Sequence, residues 1–191
     1  MKKLLLFLLT FAFIIASTGV YAAQTAPLGS GNIALKLDYI DFTNGDLDDA
    51  DVDTGVYLGL EGYGEIAKNL YLGMEVGYTQ PNGDIGSYDT ELTFVPVELN
   101  VKYAVESGTD FIIDFGAGAS LNYGEFKISG PGLSDSVDDW LFGGQIFTDL
   151  NYKIDSFFFG INAKYQITEE FEDEDFDMNN WRIGGQIGII F

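Results

Sequence analysis

Between Asn44 and Thr54 the chain reads NGDLDDADVDT, so Asp49, Asp51 and Asp53 stand at every second position. Carboxylates are hard oxygen ligands suited to Ca2+ or Mg2+, and this spacing opens calcium-binding loops. The motif then fails. Gly55 falls one place late for the turn, and Leu60 stands where the closing Glu belongs. A second acidic run, EEFEDEDFD, spans Glu169 to Asp177. Two readings stay open for these runs. They are solvated segments that keep a rim soluble and repel neighbours, or they bridge divalent cations weakly to an anionic surface glycolipid or a partner.

Little other chemistry is on offer. The chain has no His and no Cys, so it lacks the usual general base, the commonest metal ligand, a thiol nucleophile and any disulfide. A serine without a base is a weak nucleophile, and Ser120 reads as a space-filler beside Gly116 and Gly118. A carboxylate pair could act on sugars, but no cleft for one can be argued from the residues. The expectation is a protein that is not an enzyme and has no cofactor. With 30 acidic against 9 basic residues and a net charge of -21, it lacks the basic footprint that nucleic acid requires.

The elements that must position these groups announce themselves by period. Lys2 and Lys3 precede the apolar run Leu4 to Ala16, and Val20-Tyr21-Ala22 offers small residues for cleavage. This is a secretory signal pattern over residues 1–22, too short for a spanning helix, with Ala23 an alternative cleavage point. A short periplasmic linker, 23–30, follows.

From residue 31 to 191 the dominant signal is alternation with period two, the mark of strands with unlike faces. Eight segments show it. In one, Ile33, Leu35, Leu37 and Tyr39 oppose Lys36 and Asp38. In another, Leu70, Leu72, Met74, Val76 and Tyr78 oppose Gly73, Glu75 and Gly77. Each segment approaches the ~10 residues with which a tilted strand crosses a bilayer.

The polar face holds Gly, Asn, Gln and Tyr with isolated charges, unlike the dense Lys and Glu of a solvated sheet. Lipid therefore takes the apolar face, and polar groups fill the inside. Lys36, Lys102, Lys164 and Arg182 are expected to pair with Glu61, Glu75, Glu98 and Asp114 in a narrow lumen, with glycines making room. Pro96 and Gly143-Gly144 are candidate bulges or register adjustments. Short links near 67–69, 104–109 and 153–156 alternate with long polar ones at 43–54, 80–89, 124–139 and 169–178. Aromatics sit near both strand ends, Tyr39, Tyr78, Tyr123, Trp140 and Trp181 at one and Tyr103, Tyr152, Phe157 and Phe191 at the other, as two interfacial girdles would.

The fold expected is all-β: an eight-stranded antiparallel up-and-down transmembrane β-barrel, preceded by a cleaved signal peptide. Its last segment, WRIGGQIGIIF, places Trp181, Ile187, Ile189 and Phe191 on the outward face. This resembles the C-terminal insertion signal of bacterial outer-membrane barrels, read by the barrel-assembly machinery. The chain from residue 31 onward is similar to the small eight-stranded barrel superfamily that includes the OmpA, OmpX and OmpW types. The resemblance implies a location in the outer membrane of a Gram-negative-type bacterium, in contact with its lipid and lipopolysaccharide. It also implies one of two roles: an envelope scaffold or surface-interaction protein with acidic extracellular loops, or an OmpW-like passive channel for small hydrophobic solutes. A soluble periplasmic barrel around an apolar ligand is the third reading.

Overall fold

A computed structural model of the chain describes residues 26–108, 110–171 and 176–191. The expected signal peptide lies outside the described residues. Among the described residues, nine strands and one short helix follow in order: β1 (Gly31–Phe42), α1 (Gly45–Asp49), β2 (Thr54–Ala67), β3 (Leu70–Tyr78), β4 (Asn82–Ile85), β5 (Tyr88–Ser107), β6 (Phe111–Gly130), β7 (Leu133–Ile154), β8 (Phe157–Thr168) and β9 (Asn180–Ile190).

The sheet closes on itself. Antiparallel pairings run β1–β2–β3–β5–β6–β7–β8–β9, and β9 pairs with β1. Eight strands thus form the ring. β4 stands outside it, paired with β5 alone among the strands. The seam between first and last strands is tied by Gly31 and Phe191, whose amides and carbonyls exchange hydrogen bonds of 3.0 and 2.9 Å. Closure leaves no open edge in lipid, which could satisfy none.

Burial along β1 shows which face is which. Ile33, Leu35, Leu37 and Tyr39 are 43–60% exposed, whereas Lys36 and Asp38 are 3% and 4% exposed. Water would not tolerate such an inversion, repeated as it is around the whole ring. Outward rings gather at two levels. Tyr39 lies 5.4 Å from Trp181, and Tyr123 lies 5.4 Å from Trp140, at the loop end. Tyr152 lies 5.0 Å from Phe111 and 5.5 Å from Phe159 at the other end.

Turns on that other end are tight. Asn69 and Asp155 take positive φ of 64° and 54°, a conformation that Asn and Asp tolerate better than other side chains.

The loop end departs from expectation in three ways. β6 and β7 continue as one hairpin to a Pro131-Gly132 turn, where Gly132 has φ 81°, so the expected loop 124–139 is mostly strand. Its many Ser and Asp residues hid the alternating Phe126, Ile128 and Val137. The expected loop 80–89 folds into β4 and the start of β5. At Gly143-Gly144 there is no bulge, since Ser120 and Ala119 pair with them in unbroken register. The register shift falls between Glu65 and Ala67 instead. Pro96 does interrupt a ladder: in-register pairing of β3 with β5 stops at Val76 and Val97 and reappears as a bridge between Thr79 and Phe94. A residue without an N–H cannot donate across that gap.

Candidate functional site

Register sets the lumen's electrostatics. Glu61 is the direct partner of Glu75 across β2–β3, and Glu75 of Glu98 across β3–β5. Three carboxylates therefore stand side by side, an arrangement that like-charge repulsion opposes. On the far wall Lys164 and Arg182 are partners across β8–β9, with Lys36 on neighbouring β1. The two arcs meet. Lys36 Nζ lies 2.8 Å from Glu61 and 3.2 Å from Glu75. Lys164 Nζ lies 2.7 Å from Glu75 and also contacts Glu98. Arg182 lies 2.7 Å from Glu98 and 3.6 Å from Glu75. Three cations thus serve three carboxylates, all buried.

Lower in the barrel the balance differs. Asp114 and Asp149 are direct partners across β6–β7. Lys102 lies 3.8 Å from one and 3.7 Å from the other, while also 3.5 Å from Glu61. Its ammonium sits 4.0 Å above the Tyr63 ring. Arg182 stacks likewise at 4.5 Å on Tyr57, placing cations against ring faces where the quadrupole attracts them.

All eight residues expected in the lumen are therefore buried there and joined in one network. Asp149 was legible on the polar face of its strand but has a larger part than its neighbours there suggested. The luminal glycines make room for rings more than for charges. Gly73 lies against Tyr63, Gly77 against Tyr57, Gly116 against Phe147 and Gly188 against Phe158, each too close for a Cβ.

Apolar groups pack at both ends of this network. At the loop end Ile40, Phe42, Leu92, Phe94 and Leu141 from the strands pack with Leu47 and Ala50 of the α1 region and with Phe171, Phe176 and Met178. At the turn end Leu28, Tyr63, Tyr71, Ala104, Ile112 and Phe147 form a second cluster. Tyr71 anchors the N-terminal segment there: Leu28 N donates to its hydroxyl at 3.1 Å, and the hydroxyl donates to Gly29 O. Strict polar-in alternation does not predict these clusters. Their signal was the apolar residue in the inward phase at a strand's end, as with Ile40 and Phe42 in β1.

Ser120 also faces the lumen. Its hydroxyl accepts hydrogen bonds from Asn122 Nδ2 at 3.0 Å and Gln166 Nε2 at 2.8 Å, and neither amide is a base. It is a link in a hydrogen-bond chain.

Above the ring the surface is acidic. Among the described residues of the loop end the one basic side chain is Lys127, held between Glu125 at 3.0 Å and Glu91 at 3.1 Å. Hydrogen bonds to those two carboxylates raise its pKa. Asn44 caps α1 by accepting from Asp46 N at 2.9 Å. The short helix turns Leu47 inward, Asp49 ends it, and Asp51 follows with φ 56°. Partial burial, with Asp48, Asp41 and Asp51 nearby, raises the Asp53 pKa. Among the described residues no group of three or more acidic side chains is arranged to hold a metal ion. Asp49, Asp51 and Asp53 form no such group, with Asp49 at the end of α1 and Asp51 in a left-handed bend after it.

The comparisons with known proteins agree with this geometry. The family described as outer membrane protein beta-barrel domain matches residues 6–186. The chain belongs to that family. It is an outer-membrane barrel protein, and the inverted burial excludes the soluble periplasmic reading. The fold is similar to that of Neisserial surface protein A, with a TM-score of 0.60 at 12% identity over 85% of this chain and 98% of that one. It is also similar to Ail, the attachment invasion locus protein of Yersinia pestis, with a TM-score of 0.52 at 14% identity over 84% of this chain and 97% of that one. At such identities the likeness is one of fold. No curated protein sequence matches the chain.

Proposed function

We propose that this family member is a non-enzymatic envelope scaffold that displays an acidic surface outside the cell and conducts little or nothing through its lumen. The observation that carries this reading is the ion-paired network packed between two apolar clusters. An ion crossing would have to enter apolar packing at both ends and displace buried charge pairs between them. The short turns and both termini are assigned to the periplasm, so the acidic loops face outward. There they meet lipopolysaccharide, whose anionic headgroups they approach through Mg2+ or Ca2+ shared from solution rather than through a built metal site. Trp181, Ile187, Ile189 and Phe191 form the outward stripe that the assembly machinery reads during insertion.

One observation favours a second role, lateral passage of small apolar solutes. The β3–β5 ladder is broken beside Pro96, and a groove of about 800 Å³ opens on the adjoining wall among Leu35, Leu37, Leu58, Leu60, Val76 and Tyr78. Uptake of an apolar dye by proteoliposomes separates the two. Rates equal to those of protein-free vesicles support the scaffold. Faster uptake, abolished by Pro96→Val, supports the lateral route and overturns the scaffold reading.

A further inference from the structure

Lumen charges do not balance at the turn end. Lys36, Lys164 and Arg182 match Glu61, Glu75 and Glu98. Lys102, already 3.5 Å from Glu61, faces both Asp114 and Asp149, and at 3.8 and 3.7 Å it is beyond hydrogen-bonding distance of either. Asp114 is 0% and Asp149 1% exposed. Asn151 donates to Asp114 Oδ2 at 3.3 Å. Asp114 Oδ1 and both oxygens of Asp149 receive no hydrogen bond from any protein donor. The two carboxyl groups are carried by directly opposed residues of β6 and β7 and face the same lumen. Two opposed buried carboxylates that share Lys102 as their close cation repel each other, which favours one of them keeping its proton.

We infer that Asp114 and Asp149 share one proton at neutral pH, forming a carboxylic acid–carboxylate pair that Lys102 neutralises. The hydrogen supplies the donor that the protein around them lacks. Other buried charged or titratable groups line the same lumen: Lys36 and Asp38 of β1, Glu61 and Tyr63 of β2, Tyr71 and Glu75 of β3, Glu98 of β5, Lys164 of β8 and Arg182 of β9. Of these, the cations are engaged with Glu61, Glu75 and Glu98, and Asp38 accepts from Asn162 at 2.8 Å. Lys36 and Lys164 also attract Asp149, but their close contacts are with the glutamates. The pair titrates as a unit.

Infrared spectroscopy of the refolded barrel tests this directly. At neutral pH the wild-type protein should show the carbonyl stretch of one neutral carboxylic acid, lost in both Asp114→Asn and Asp149→Asn. No such band in the wild type overturns the proposal, and so does a band that survives in both variants. A second measurement does not depend on the band. The folded state would carry one proton that the unfolded chain releases, so unfolding becomes easier as pH rises from about 5 to about 8. Relative to Asp149→Asn, the wild-type unfolding constant should rise about tenfold more per pH unit. Parallel pH profiles would contradict a shared proton.

Discussion

Glu75 and Glu98 are direct partners across the β3–β5 seam, and Lys164 from the opposite wall contacts both carboxylates. The seam is thus held by a side chain that neither strand supplies. It is also the seam that Pro96 weakens, so the lumen compensates for backbone pairing lost in the wall.

Lys164→Met should therefore destabilise the barrel strongly. Removing one partner of a buried charge network typically costs about 3–5 kcal/mol, readable as a lower urea midpoint in detergent. Adding Glu98→Gln to that variant should recover part of the loss, because it relieves the exposed repulsion with Glu75. A double variant less stable than Lys164→Met would contradict this arrangement.

The outward face can be tested by placing a charge on it. Ile161 of β8 points outward and is 62% exposed. Ile161→Arg should cost about 2–4 kcal/mol in a bilayer, the penalty for a lipid-facing cation near the midplane. On a solvated face the same change would be nearly neutral, and equal stability of the two proteins would place that face in water.

Gly77→Ala tests the tight luminal packing. Its Cβ would collide with the Tyr57 ring, and overpacking of this kind costs about 1–3 kcal/mol. Adding Tyr57→Ser removes the ring and should make the alanine harmless in that background. If Gly77→Ala alone leaves the urea midpoint unchanged, the ring does not occupy the space the glycine leaves.

Asp53 gives a pH signature at the loop end. Its raised pKa means the fold disfavours its ionised form. The sign follows: the folded state is penalised at pH values above the unfolded pKa, and the penalty fades as pH falls. Asp53→Asn should raise stability at neutral pH and make no difference at acid pH. A variant destabilised at neutral pH would show that the carboxylate is instead stabilised by the fold.

Alternation made the strands and the lumen set legible, since Lys36, Glu61, Glu75, Glu98, Lys102, Asp114, Lys164 and Arg182 all occupy the polar phase of their strands. Period alone does not give register. That is why the three adjacent glutamates, the Lys164–Arg182 pairing and the importance of Asp149 emerged only from strand partners. The apolar clusters were obscured because Ile40, Phe94 and Leu141 sit in the polar phase, where a membrane barrel is expected to be wet. The β6–β7 hairpin was obscured for the opposite reason. Above the membrane both its faces meet water or loops, so its residues lose the contrast that marks a strand. The spacing of Asp49, Asp51 and Asp53 matches the start of a calcium loop without its Gly and closing Glu, and among the described residues they form no group arranged to hold a metal.

The most direct measurement of a filled lumen is the conductance of purified, refolded protein in a planar lipid bilayer. Insertion would be confirmed beforehand by a gel-mobility difference between heated and unheated samples. A lumen filled by the Lys36–Glu61, Lys164–Glu75 and Arg182–Glu98 pairs between two apolar clusters should give flat current traces at moderate voltage. Steady unitary current steps from the same protein would mean that ions pass through the barrel, and would contradict the closed scaffold.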